Sequence, residues 1–121
     1  MLPHDSTRME VIPMLDKLRE VENRFLELED MTARPDFYSD PTRAAKQLKE
    51  QRELEPVVAA YREYRAKTQT VEDLLEMLSG PLEPELKELA QEELNEAKAA
   101  LPALEEKLKL LLLPRVTPAR R

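Results

Sequence analysis

The sequence predicts an all-α protein, an antiparallel three-helix bundle with long, coiled-coil-like helices. Its 121 residues include a single glycine and 36% charged side chains, which leaves little room for tight turns or sheet. Apolar residues recur in steps of three and four over long stretches, the spacing that holds one helix face against a partner helix. Prolines near residues 35 and 81 interrupt this pattern and divide the chain into three segments.

Two apolar seams carry most of this prediction. The first consists of Leu54, Val57, Tyr61, Tyr64, Thr68, Val71, Leu75 and Leu78. The second consists of Ala90, Leu94, Ala97, Leu101, Leu104, Leu108 and Leu111. Because both have steps that average about 3.5 residues, we expect both to be buried between helices. The tyrosine rings then pack in the core and their hydroxyl groups reach its rim.

The first helix is expected over about 14–32, after a flexible N-terminal extension at 1–13 with no sustained apolar period. Pro13 suits the first turn of a helix, where its missing N–H is not needed. A pair of opposite charges, Glu20 and Arg24, is spaced to stabilise the outer face. The inner face carries an apolar stripe of Leu15, Leu18, Val21, Phe25 and Leu28.

The connection after this helix contains two aromatic residues. Pro35 ends the helix because it disfavours helical geometry in the residue before it. Phe37 and Tyr38 either plug the open end of the bundle or form a surface contact. Asp40 followed by Pro41 is a good helix start, since the aspartate caps free N–H groups and proline fits the first position.

The second and third helices are expected over about 41–78 and 84–112, each with one internal proline. Pro56 costs about 3 kcal/mol inside a helix, but no loop residues surround it, so we expect a kinked continuous helix. Pro102 interrupts the third helix in the same way. Gly80 stands where a helix carboxyl cap is expected and is followed by proline.

Composition narrows the function classes. The formal charge is −6, and phosphate affinity comes mainly from lysine and arginine, so the chain is a poor general nucleic-acid binder. The N-terminus has no signal-peptide pattern, and the longest apolar run, Leu110–Leu113, is too short to span a bilayer. We interpret the chain as a soluble cytoplasmic protein with one helical domain at 14–114. Residues 115–121 are a basic tail or a truncated linker.

Glu85, Glu88, Glu92 and Glu96 form the most distinctive charged feature. At about 100° per residue they fall within about 80° of one another, opposite the second apolar seam. This column of like charge is either an ordinary solvated face or a docking stripe for a basic partner. We take these four carboxylates as the candidate partner-binding residues.

Nothing in the sequence favours catalysis or a cofactor. Di-metal sites in helical bundles use inward Glu-x-x-His pairs, whereas we expect no histidine in any helix and the glutamate column faces outward. There is no cysteine, no Gly-x-Ser-x-Gly elbow and no glycine-rich phosphate loop. We therefore expect no catalytic, cofactor-binding or metal-binding residue, no enzyme activity and no small-molecule ligand.

Several segments carry a resemblance to a known family. The acidic helix Leu86–Lys98, followed by the leucine run and proline of Leu110–Pro114, resembles the amino-terminal helical domain of bacterial class I peptide chain release factors, closest to the release factor one group. Glu83–Glu85 resembles the family's Asp-Pro-Glu turn. Met14–Phe25 resembles its opening helix, and Pro35–Thr42 its first connection.

The resemblance spans about residues 14–114 and implies a role in translation termination. For this portion it implies a module that docks near the stalk base of the large ribosomal subunit or contacts the release-factor recycling GTPase, with no membrane partner. The family continues with an acidic linker, whereas this chain reads Arg115-Val-Thr-Pro-Ala-Arg-Arg121. The family's codon-reading tripeptide and Gly-Gly-Gln loop belong to later domains, so no catalytic residue is carried over.

Two other functions stay open on the sequence alone. A coiled-coil adaptor or homo-oligomerisation module would leave seam residues exposed and sediment as a dimer. An RNA-binding helical arm would need a basic stripe and would bind tRNA in a salt-sensitive way.

Overall fold

The computed structural model describes the backbone of residues 3–113 and the side chains of residues 13–113. This part of the chain contains three α-helices and no strand, which confirms the all-α prediction. The helices are α1 (Pro3–Thr32), α2 (Pro41–Ser79) and α3 (Pro84–Leu112), and one 3-10 turn, Phe37–Ser39, lies between α1 and α2. The bounds of α2 and α3 agree with the sequence prediction to within one residue.

α1 begins earlier than predicted. Its helical backbone starts at Pro3, within the segment where the sequence predicts a flexible extension, so Pro13 lies inside the helix and not in its first turn. Extending an existing helix adds a hydrogen bond per residue without the cost of a new nucleus, which favours this outcome. The expectation that no helix contains histidine is also wrong, because α1 includes His4.

The ends of α2 show how the sequence sets its limits. Asp40 caps the start, since its Oδ1 accepts a hydrogen bond from the backbone N–H of Arg43 at 3.2 Å. Gly80 ends the helix with φ −103° and ψ 178°, which is extended and not left-handed. Pro81 explains this geometry, because proline holds the preceding residue in the extended region. α2 continues through Pro56, as predicted.

α2 is the central element, and the other two helices pack against it in antiparallel orientation. With 39 residues it is about 58 Å long. Near its start Gln47 contacts Met31 of α1, at 3.4 Å between Nε2 and Sδ. Beyond its midpoint the Tyr64 hydroxyl donates a hydrogen bond of 3.0 Å to Glu105 of α3.

The three helices come together only around the middle of α2. The core there combines Leu18 of α1, Tyr61 of α2 and Leu108 of α3, none of them more than 4% exposed. Further members of this cluster are Met14, Val57, Ala60, Tyr64 and Leu104. The tyrosine prediction is confirmed, since both rings are buried and one hydroxyl reaches a carboxylate.

Outside this core only two of the three helices pack against each other at any one level. A second cluster joins Leu74 of α2 to Ala90 and Leu94 of α3. Because Tyr64 lies opposite Glu105, the antiparallel register brings the end of α3 beside about residue 57 of α2. α1 and α3 therefore cover different halves of α2, and the bundle is two overlapping helical hairpins.

A buried carboxylate fixes α1 on α2. Glu22 is 8% exposed and accepts hydrogen bonds of 2.9 Å from both Arg62 and Arg65 of α2. The hydrogen bond from Arg62 is the main reason that the pKa of Glu22 lies below its ordinary value, and burial acts in the opposite direction. The predicted Glu20–Arg24 pair does not form. Arg24 instead binds Glu27 and, across the helices, Glu50.

Most predicted seam residues are buried or half-buried, with one exception. Leu75 is 49% exposed, because α3 packs on a neighbouring face of α2 at this level. The two aromatic residues of the first connection behave differently. Phe37 is buried, as expected for a plug of the bundle end, whereas Tyr38 is 68% exposed, as expected for a surface residue. Burial of the seams inside one chain removes the basis for the homo-oligomer hypothesis.

Replacing Leu108 tests the three-helix core. Leu108→Ala should lower the free energy of unfolding by about 2–5 kcal/mol, since the side chain is fully buried and a cavity would remain. Leu110→Ala is the matched control, because Leu110 is 61% exposed and its loss should change stability by less than about 0.5 kcal/mol. Urea unfolding followed by circular dichroism gives both values, and equal effects would contradict the helix packing.

The Glu22 cluster predicts a specific pH dependence. A carboxyl with a lowered pKa in the folded state stabilises the fold above its unfolded value of about 4.5, and this contribution disappears as pH falls through the folded value. Glu22→Gln should therefore cost about 1–3 kcal/mol at pH 7. The difference from the unchanged chain should shrink below about pH 4.

Thermal unfolding at pH 7 and pH 3 measures that difference. Glu63→Gln is the control, because Glu63 is exposed and has no ion pair with another described residue. A pH-independent difference for Glu22→Gln would show that its charge is not the stabilising factor.

Candidate docking surface

The turn between α2 and α3 forms an apolar tip. Leu82 is the only large apolar residue in the short connection, and it packs half-buried against Leu74, Ala90 and their neighbours. An open groove of about 460 Å³ lies between the two helix ends. Its lining is apolar except for one glutamate and consists of Leu74, Met77, Leu82, Leu86, Leu89, Ala90 and Glu93. The tip therefore has a concave apolar surface open to solvent.

The walls of this groove are unusually exposed for apolar side chains. Leu86 and Leu89 are each 55% exposed and Met77 is 48% exposed, whereas the floor residues Leu74 and Ala90 are buried. Exposed apolar residues that are scattered singly need no explanation, but a contiguous group around a groove is typical of a binding site. The α2–α3 tip is thus the best candidate docking surface in the described part of the chain.

The predicted glutamate column borders this groove. Glu85, Glu88, Glu92 and Glu96 are all exposed, and none forms an ion pair with another described residue. They lie on the side of α3 away from the buried seam, as the sequence predicts. Leu89 lies about 40° around the helix from Glu85 and is one turn from Glu92, so acids surround it.

Sequence reasoning found the acids but missed the apolar wall. Leu82, Leu86 and Leu89 form a short row with steps of four and three, parallel to the main seam. That row was the only sequence signal for the apolar wall. Without the position of α2, it could not be distinguished from the edge of a buried stripe.

The arrangement suits recognition of a protein surface that carries an apolar side chain surrounded by lysine or arginine. The groove supplies area that excludes water, and the acidic rim favours cations and speeds association. Among the described residues there is no group of acids or histidine that could hold a metal ion. No helix in the described range is apolar enough over sufficient length to cross a membrane. The basic tail at 115–121 lies outside the described residues.

Comparison with known proteins finds related sequences. The PCRF domain model matches residues 21–120. Peptide chain release factor 1 of Agathobacter rectalis is 40% identical over 102 residues, which is 84% of this chain and 28% of that protein. Peptide chain release factor 1 of Streptococcus pyogenes serotype M5 is 45% identical over 101 residues, 83% of this chain and 28% of that protein.

The chain thus spans 28% of the length of these curated relatives. No solved structure matches it at a significant level.

The geometry of Gly80 in the tip turn predicts that this position does not require glycine. A Cβ at Gly80 would come no closer than 3.9 Å to the Met77 carbonyl oxygen, and the φ of −103° is open to any residue. Gly80→Ala should therefore leave the fold intact and raise the free energy of unfolding by about 0.4–1 kcal/mol, because the unfolded chain loses freedom. Thermal unfolding measures the change. A loss of stability would mean that the turn requires glycine.

Proposed function

Because this chain belongs to the PCRF-domain family, we propose that it is a helical module of a peptide chain release factor and acts in translation termination in the cytoplasm. The observation that carries this proposal is the 40–45% identity to release factors along more than four-fifths of the chain. The match to the PCRF domain model over residues 21–120 also supports it.

Within termination, the proposed role of this module is binding and not catalysis. The sequence contains no Gly-Gly-Gln loop of the kind expected to promote hydrolysis of peptidyl-tRNA. Its most developed surface feature is instead the apolar groove and acidic rim of the α2–α3 tip. Such a surface contributes to termination by holding the factor in place on a larger partner.

The partner that fits this tip best is a basic protein surface near the stalk base of the large ribosomal subunit. Ribosomal surfaces combine cationic proteins with RNA, and a net charge of −6 on this chain favours contact with the protein component. The recycling GTPase implied by the family resemblance is the other candidate. The two candidate partners can be distinguished, because binding to the GTPase can be measured without ribosomes.

Replacing the acidic rim tests the proposed docking. Glu88→Lys, Glu92→Lys and Glu96→Lys together should weaken binding to purified bacterial large subunits by about tenfold or more at low salt, because attraction becomes repulsion. Leu89→Ser should weaken it by about tenfold through loss of the apolar contact. Co-sedimentation with subunits measures both, and helicity should stay nearly unchanged.

A matched control separates the site from overall charge. Glu20, Glu63 and Glu106 are exposed and lie away from the tip, so reversing all three changes the net charge by the same amount. This control should bind nearly as well as the unchanged chain. Equal loss in both triple variants, or no loss in either, would reject the tip as the docking site.

A further inference from the structure

A row of cations runs along the first part of α2. Lys46, Lys49 and Arg52 follow one another every three residues, and all three are exposed. At about 100° per residue they lie within about 120° of one another. We call this set the cationic ridge. At about 1.5 Å per residue it extends over about 9 Å of helix. The remaining surface of this acidic chain offers no comparable run of cations among its described residues.

The ridge cations are unpaired. Within the described residues no member of the ridge has an ion pair, whereas five arginines elsewhere do: Arg19, Arg24, Arg34, Arg62 and Arg65. Glu50 lies within the same stretch but is bound by Arg24 of α1. Glu53, four residues after Lys49, and Glu55, three residues after Arg52, are the nearest carboxylates without an ion pair to a described residue. The positive charge of the ridge is therefore available to a ligand.

The position of the ridge follows from the offset of the helices. At about 100° per residue, Lys46, Lys49 and Arg52 centre on the side of α2 opposite the face that packs against α1. Further along α2 the same side is apolar and is covered by α3, through Tyr64 and Leu74. α3 ends beside about residue 57, so nothing in the described chain covers the ridge.

We propose that the cationic ridge is an RNA-binding surface that contacts the phosphate backbone of double-stranded RNA. A backbone contact needs cations alone, and the ridge supplies three without an exposed aromatic or large aliphatic residue among them. An acidic protein partner would be expected to bring apolar anchors to a groove, as at the opposite tip.

This inference goes beyond the proposed function, because it concerns a different surface, a different ligand chemistry and the opposite end of α2. The two surfaces would let one helical module contact protein with its acidic tip and RNA with its basic side. Either proposal can fail without the other. The docking proposal is tested with tip variants on ribosomal subunits, and the RNA proposal is tested on RNA free of protein.

The test uses fluorescence anisotropy with a labelled 20-base-pair RNA duplex between 20 and 150 mM KCl. The variant Lys46→Ala, Lys49→Ala and Arg52→Ala should raise the Kd at least about tenfold and lower the slope of log K against log salt by about two. Lys87→Ala, Lys98→Ala and Lys107→Ala is the control, with the same charge change at exposed lysines of α3. It should change the Kd by less than about threefold.

A variant that is expected to bind the RNA duplex more tightly gives a second measurement. Glu53→Gln removes one of the two free carboxylates beside the ridge and should tighten RNA binding by about two- to threefold at 20 mM KCl. Circular dichroism should show the same helicity for every variant, because alanine and glutamine are good helix formers.

Three outcomes would overturn the proposal. The first is no binding of the duplex at 20 mM KCl. The second is an equal loss in the ridge and control variants, which would reflect overall charge alone. The third is tighter binding to a 20-residue polyglutamate than to RNA, which would assign the ridge to an acidic protein.

Discussion

The fold depends on the burial of one apolar cluster where three amphipathic helices meet. Leu18, Tyr61 and Leu108 come from separate helices and are almost completely buried together. Helices with this much charge are marginal alone, because most helix stability in proteins comes from packing an apolar face. The cluster therefore fixes where α1 and α3 lie along α2, and the shared carboxylate of Glu22 then sets the register of α1.

The position of that cluster also determines which surfaces are free. α2 is longer than either partner, and each partner covers a different half of it. At one end α2 and α3 leave an apolar groove with an acidic border. Towards the other end α2 shows uncovered cations. An acidic chain thus separates its charges into two surfaces of opposite character.

Local signals predicted the elements well. The prolines at 41 and 84, with Asp40 and Gly80, set helix limits that agree with the structure to within a residue. These signals act through capping and backbone geometry, which depend on neighbours in sequence alone. The early start of α1 was missed because residues 3–12 show no apolar period, although their backbone is helical.

The candidate site was predicted only in part. The glutamate column follows from helix periodicity, so Glu85 to Glu96 could be placed on the outer face of α3 without a structure. The exposure of Leu86 and Leu89 could not, because an apolar residue at helix spacing looks the same whether or not a partner covers it. The burial of Glu22 was hidden for the same reason, since its partners lie 40 and 43 residues away.

The sequence by itself determined the number of helices, all of their ends except the start of α1, and most of the faces that must be buried, because each follows from periodicity and local stereochemistry. Only the tertiary structure decided how far α1 and α3 extend along α2. That offset comes from side-chain packing between distant residues, and it leaves Leu89 and Lys49 open to solvent while Leu108 is enclosed.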